Sequence, residues 1–346
     1  MLPSCGGKEA EFYDVNFTAM DTVVTVRLAR DSMDSSKKRS ERYFDPSYLD
    51  TVGAECERIA ADIEGMLSRT ADGGFVSEIN GECDYVLSVD GDVFKLFEDS
   101  YAIGENTNGA FDITIGTVVE LWNVTGDESK VPTEDEISDA LSHTGRDKIL
   151  LENGNVKKAD RMAKYDLGAV GKGFALGKIV EYLETTDVAY GLVSFGGNVA
   201  VFGDRSGGKK DDPTPFKVGI TDPADTSGVV GYLYMTKGYL SVSGDYERFF
   251  IGDDGTKYHH IFDPVTGYPA DSDISSVAVL CDDGILADAL STALFVMGSE
   301  EAIEFYESGV YDFEAVICTH SGELTVTDGI TDGTFEKYVP ETEAET

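Results

Sequence analysis

The run Asp166-Leu-Gly-Ala-Val-Gly-Lys-Gly-Phe174 constrains this chain more than any other segment. It packs a carboxylate, three glycines and Lys172 into residues 166–173, directly before an apolar-periodic stretch. Glycine lets backbone N–H groups approach a ligand closely, and a helix N-terminus carries partial positive charge. A glycine turn feeding a helix over 174–185 can therefore cradle phosphate, with Lys172 as a point charge; the motif by itself fits equally a Gly-rich strand-to-helix turn that binds nothing. Two common phosphate-binding folds are excluded by spacing. A P-loop needs four residues between its glycine and the Gly-Lys pair, and only two separate Gly168 from Gly171. The order Gly168, Gly171, Gly173 also reverses the Rossmann fingerprint.

A second constellation lies far downstream. Ile285, Leu286, Ala289, Leu290, Ala293, Leu294 and Met297 recur at helical spacing, predicting a helix over 284–298. Asp288, Ser291 and Thr292 fall at i, i+3 and i+4, so three oxygen-bearing side chains share one face of an otherwise apolar helix. Oxygens so grouped suit a hard cation such as Mg²⁺, which commonly bridges to substrate phosphates. Taken alone, the stretch reads better as an N-terminal-turn aspartate with two hydroxyls bonding back to helix carbonyls.

The third cluster is Val242-Ser-Gly-Asp-Tyr-Glu-Arg-Phe-Phe-Ile251, then Gly252-Asp-Asp-Gly255, then a run through Lys257 and His259-His260-Ile261 to Pro269. Two β-like runs around a Gly/Asp loop predict a hairpin, and Asp263-Pro264 with Thr266-Gly267 predicts a tight turn after it. Strand alternation sends His259 and His260 to opposite faces, so at most one faces a given site. That one can move protons near neutral pH.

Together these blocks resemble the ApbE family of FAD:protein FMN transferases. The matching stretches are Met20-Asp-Thr22, Gly109-Ala-Phe-Asp-Ile-Thr114, the glycine run, Ser194-Phe-Gly-Gly-Asn198 and Val218-Gly-Ile-Thr-Asp-Pro223. They continue through Ser243-Gly-Asp-Tyr246, His260-Ile-Phe-Asp-Pro-Val-Thr-Gly-Tyr-Pro269 and Ala287-Asp-Ala-Leu-Ser-Thr292, in collinear order over residues 17–330. The resemblance implies an FAD site lined by Met20, Ala110, Phe111, Asp112, Asp166, Lys172 and Ile261. It implies Mg²⁺ held by the Ala169 carbonyl and the Asp288 and Thr292 side chains, with Ser291 near. His260, Lys172 and Asp288 are the expected catalytic groups, with His260 or a nearby carboxylate to take the acceptor's proton. The implied reaction is transfer of FMN from FAD to a Thr or Ser hydroxyl of an acceptor flavoprotein, with AMP leaving. The rival readings are an FAD pyrophosphatase and a non-catalytic flavin-binding lipoprotein. Two positions depart from the family pattern: Gly177 stands where an aspartate is common, and Ser68-Arg-Thr70 offers Thr70 where many members carry an aromatic against FAD.

Composition bounds the rest. The chain has 346 residues, with 27 Lys and Arg against 65 Asp and Glu, a formal net charge of −38. Such acidity argues against nucleic-acid partners, which need basic stripes. A diphosphate would approach against repulsion, which raises the importance of Lys172 and a bound cation. Cys5, Cys56, Cys83, Cys281 and Cys318 form no C-x-x-C pair, so no zinc or redox motif is visible. Leu2-Pro-Ser-Cys5 resembles a bacterial lipobox. The expected location is therefore the outer face of a bacterial cell membrane, held by lipid on Cys5, with acceptors in exported or membrane redox complexes. No run of about 18 apolar residues exists to span the bilayer.

Along the chain, residues 1–11 read as a tail, 12–335 as the flavin transferase domain and 336–346 as an acidic tail. A strand is expected over 17–29, loops over 30–44 and 203–215, and helices over 46–68 and 92–106. Thr133 and Glu136 form a capping box for a helix to 141. Strands then dominate 216–261, followed by a strand at 274–281, a helix near 299–308 and a closing hairpin at 315–327. Hairpins with clustered helices give an α+β class, with mixed or antiparallel sheets and helices forming two intimate lobes.

Overall fold

The computed structural model describes residues 12–30, 44–81, 86–88, 91–126, 129–205, 214–330 and 333–339. The chain opens with β1 (Phe12–Ala19), β2 (Thr22–Ala29), α1 (Pro46–Leu67), α2 (Phe75–Asn80) and β3 (Val86–Ser88). Then come α3 (Gly91–Asn106), α4 (Gly116–Trp122), α5 (Glu134–Ser142), β4 (Ile149–Glu152), β5 (Asn155–Lys158) and α6 (Gly168–Glu184). Next are β6 (Tyr190–Phe195), β7 (Asn198–Gly203), β8 (Phe216–Thr221), β9 (Val229–Met235), β10 (Gly238–Gly244), β11 (Phe249–Ile251) and β12 (Lys257–His259). The chain ends with β13 (Ile274–Cys281), α7 (Gly284–Met297), α8 (Ser299–Glu307), β14 (Glu314–Thr319), β15 (Leu324–Val326) and β16 (Phe335–Lys337).

Eight strands form the main sheet in the order β1-β2-β6-β7-β10-β13-β14-β15, and the pairs along it are antiparallel. Its two faces are both covered. Val24, Val26, Leu28, Val277 and Val279 face α1, α3, α6 and α7 in the largest core. Ala278, Leu240 and Val201 face the small sheet β16-β9-β8 in a second core. Burial on both sides explains why β13 reads as an almost continuous apolar run instead of alternating. A third cluster packs Trp122, Ile137 and Phe262, and the Trp122 indole donates to the Gly267 carbonyl at 2.8 Å. That bond anchors the expected tight turn, in which the Gly267 N–H donates to the Asp263 carbonyl.

The α+β class with antiparallel sheets holds, and α1, α3, β13 and the α5 capping box lie where the patterns put them. Three expectations need correction. The strand over 17–29 is two strands joined by a two-residue turn, Met20 and Asp21, both at positive φ (51° and 58°). That geometry closes a tight hairpin, and its residues carry no glycine to announce it. Helix α6 starts at Gly168, not Phe174, so Lys172 lies inside the helix. Finally, β16 pairs with β9 through Lys337, so ordered strand runs past the expected tail boundary at 336. Helices α2 and α4 and the β4–β5 hairpin carried no pattern strong enough to be expected. Cys5, Cys83 and most of the 30–44 and 203–215 loops lie outside the described residues.

Candidate active site

The site begins where two helices touch. A Cβ added at Gly173 would lie 2.0 Å from the Gly284 carbonyl oxygen, and one added at Gly284 would lie 2.5 Å from the Gly173 oxygen. These glycines serve helix-on-helix contact. The contact brings the Gly173 N–H within 2.9 Å of Asp288 Oδ2. In a regular helix that N–H would point at the Ala169 carbonyl, one of the oxygens expected at the metal.

Asp288 is 4% exposed and its carboxylate is nonetheless well supplied with donors. Asn198 Nδ2 and the Ser241 hydroxyl donate to Oδ1 at 2.7 and 2.9 Å. Ser291, fully buried, donates to the Asp288 carbonyl at 2.8 Å and also lies 2.8 Å from the Ser243 hydroxyl. Half-buried Thr292 completes the face, its hydroxyl 3.5 Å from that of Ser243. Lys172 Nζ donates to Asn198 Oδ1 at 3.1 Å. The three polar positions of α7 thus share one face, as their spacing predicts, and that face meets β10 and β7.

This donor set suits a hard divalent cation. Every group Asp288 bonds is a neutral donor, and among the described residues no ion pair reaches it. A buried carboxylate without a countercharge is costly, which favours a cation at this place. Asp288 Oδ2 has a single donor, leaving it a lone pair to share. Among the described residues no group of three or more His, Cys, Asp or Glu is placed to hold a metal. Remaining ligands would be hydroxyl, carbonyl and phosphate oxygens, as Mg²⁺ prefers.

Asp166 ties the start of α6 to two loops. Its Oδ1 accepts the Gly168 N–H at 2.7 Å and its Oδ2 accepts Arg69 Nε at 2.6 Å. Its own N–H donates to the Ile113 carbonyl at 2.8 Å, drawing the 109–114 loop to the helix. Within that loop Asp112 accepts from the Thr114 N–H and hydroxyl at 2.8 and 2.6 Å, and burial raises its pKa. Phe111 is 3% exposed in the main core, so contact with a ligand is left to its backbone and to half-buried Ala110.

The two histidines differ in environment. His259 is buried against Phe295; its Nδ1 accepts the Ile261 N–H at 3.2 Å, so its Nε2 carries the proton shared with the Ala270 carbonyl. Its ring is committed on both nitrogens. His260 Nδ1 donates to the Arg248 carbonyl at 3.2 Å, leaving Nε2 with a lone pair. Burial first, then the nearby Arg248 charge, pulls its pKa down to about 4. Lys172 contributes to the same depression, which places the lysine and this ring in one field. Arg248 also lies 3.9 Å from Asp21, so the Met20–Asp21 turn borders the same end of the sheet. Ile261, next to His260, is buried in the main core.

The structure thus brings Lys172 on α6 together with Asp288, Ser291 and Thr292 on α7, with Ala169 in the first turn of α6 and Asp166 just before it. His260 feels the Lys172 charge, and the Met20–Asp21 turn lies beside Arg248. Among the described residues, the 110–112 segment is hydrogen-bonded to the start of α6 only through the Ile113–Asp166 backbone bond. Sequence reasoning assigned no role to Asn198, Ser241, Ser243, Arg69 or Arg248. Alternation along β10, which sends Ser241 and Ser243 to one face, is the signal that was available for that pair.

The model of the ApbE family matches residues 20–317. The FAD:protein FMN transferase of Treponema pallidum is 34% identical over 251 residues, covering 69% of each chain. That of Haemophilus influenzae is 29% identical over 281 residues, covering 78% of this chain and 80% of its own. The crystal structure of the ApbE protein of Thermotoga maritima superposes with a TM-score of 0.79 at 31% identity, covering 92% of this chain and 98% of that one. Among described residues no helix is long and apolar enough to cross a membrane.

Proposed function

Because this chain belongs to the ApbE family, we propose that its site takes FAD and transfers the FMN half to a Thr or Ser hydroxyl of an acceptor flavoprotein, releasing AMP. The observation that carries this reading is the buried Asp288 carboxylate, wrapped in neutral donors and linked through Asn198 to Lys172. A buried carboxylate beside a held lysine matches what a diphosphate and its cation require.

In the reaction, the acceptor hydroxyl oxygen attacks the phosphorus on the riboflavin side. The bond from that phosphorus to the bridging oxygen breaks, and the oxygen leaves with AMP. Lys172 supplies positive charge to the diphosphate. The side chains of Asp288 and Thr292 and the Ala169 carbonyl are the oxygens that would hold Mg²⁺, which when bound neutralises diphosphate charge. His260 takes the hydroxyl proton on Nε2, the nitrogen that its bond to the Arg248 carbonyl leaves free. A bound diphosphate offsets the Arg248 and Lys172 charges that depress this ring, so substrate raises its basicity.

We assign slow FAD hydrolysis as a side reaction. Thr70 is exposed beside the Arg69–Asp166 pair, and a small side chain there leaves water a route to the flavin. The acceptors we assign belong to exported or membrane redox complexes, in keeping with the lipobox-like Leu2-Pro-Ser-Cys5. The test incubates the protein with FAD, Mg²⁺ and an acceptor domain, following acceptor mass and free FMN together. Acceptor gaining the mass of FMN with matching AMP supports transfer. Free FMN and AMP with no gain on the acceptor would establish the hydrolase instead.

A further inference from the structure

We infer that Asn198 is a positioning residue that sets Lys172 and Asp288 relative to each other, so that diphosphate and cation are met by one prearranged unit. This deepens the proposed flavin transfer and rests on it. Asn198 is the first residue of β7 and is fully buried, 0% exposed. It follows a tight turn at Gly196 and Gly197, where Gly196 has a φ of 63°. Its amide spans the gap between α6 and α7: Nδ2 donates to Asp288 Oδ1 at 2.7 Å while Oδ1 accepts from Lys172 Nζ at 3.1 Å.

The amide orientation is forced by chemistry. A carboxylate only accepts and an ammonium only donates, so the NH₂ must face Asp288 and the oxygen must face Lys172. A carboxylate at position 198 would set like charges against each other at Asp288. An apolar side chain would release Lys172 and strip Asp288 of a donor. The amide lies between Lys172 and Asp288, which among the described residues make no direct ion pair, so neither charge is spent on the other. Lys172 is thereby held by a single neutral acceptor and keeps two N–H donors for phosphate oxygens. An arrangement made before binding spares the ordering cost of two groups at the moment FAD arrives.

The test is a double-mutant cycle on the full chain with Asn198→Leu, Lys172→Met and the double variant. FAD dissociation constants are measured with chelator present, and Mn²⁺ binding is measured by electron paramagnetic resonance without FAD. Asn198→Leu is expected to weaken FAD about 10-fold and Mn²⁺ by a similar factor. In the Lys172→Met background the FAD loss from Asn198→Leu should nearly vanish, because the amide then has no lysine to place. A merely structural residue would lose FAD affinity equally in both backgrounds, and that additivity overturns the inference. Unchanged FAD and Mn²⁺ affinities in Asn198→Leu overturn it as well. If Asn198→Leu fails to fold, Asn198→Ser, which keeps a small polar side chain, enters the same cycle. A wild-type protein that binds no FAD overturns the flavin reading itself and the inference with it, whereas normal wild-type binding with an additive cycle sinks the inference alone.

Discussion

Gly173 and Gly284 lie backbone against backbone, so close that a Cβ on the first would fall 2.0 Å from the carbonyl oxygen of the second. This contact sets how deeply α6 seats against α7 and therefore how the Gly173 N–H reaches Asp288. A glycine run that looks like a ligand cradle thus owes one of its glycines to packing between helices.

Gly173→Ala should push the helices apart. Overpacking of this kind costs about 1–3 kcal/mol. Gly171 provides the control, since a Cβ there meets nothing nearer than Leu67 Cδ1 at 3.8 Å and alanine is the better helix former. Urea unfolding is expected to show Gly173→Ala destabilised and Gly171→Ala neutral or stabilised. Equal midpoints for the two variants would refute the packing role.

Asp288→Asn should separate folding from metal use. The variant keeps the side-chain volume but loses the charge and turns one acceptor oxygen into a donor facing the Gly173 N–H or the Asn198 amide, so some stability is lost and Mg²⁺-dependent AMP release is expected to need at least about 10-fold more metal. Its circular dichroism should stay native. Wild-type rates at limiting Mg²⁺ would remove Asp288 from the metal.

His260 makes stability depend on pH. Its folded pKa, about 4, lies below the ordinary 6.5. Between those values the unfolded chain binds a proton that the folded protein refuses, so stability falls as pH drops through this window. Above pH 6.5 the effect is absent. His260→Gln should reduce the slope of unfolding free energy between pH 6.5 and 4, the remainder coming from His259, whose pKa burial also lowers, and lower kcat by about 100-fold or more with FAD affinity retained. An unaltered slope would count against the environment described for this ring, and an unaltered kcat against its role as proton acceptor.

Cys5→Ser should release the protein from membranes if a lipid on Cys5 anchors it. Fractionation of bacterial cells expressing the native gene checks this by following the protein between membrane and soluble fractions. Membrane-free wild type with an unmodified Cys5 thiol would dismiss the anchor.

Local patterns sufficed for α1, α3, α5 and β13. Apolar periodicity and the Thr133 and Glu136 capping box act within a turn or two, and composition read along the chain contains them. Locality is also why the Asp288, Ser291 and Thr292 face was legible, since one helix places all three. Collinear motifs carried the family, the reaction and most of the expected site residues. The Met20–Asp21 reversal was not legible, because period-2 alternation continues on both sides and neither turn residue is glycine. The start of α6 lies earlier than the pattern indicates for a related reason: glycine's poor helix propensity argues against a helix at 168–173, while the burial of this turn and the packing of Gly173 on Gly284, 111 positions away by their numbers, are tertiary. Tertiary structure alone decided what surrounds Asp288. Its three donors come from residues 115, 90 and 47 positions away in the chain, on α6, β7 and β10. No spacing rule reaches that far, because those hydrogen bonds exist only once the sheet and both helices have closed on one another.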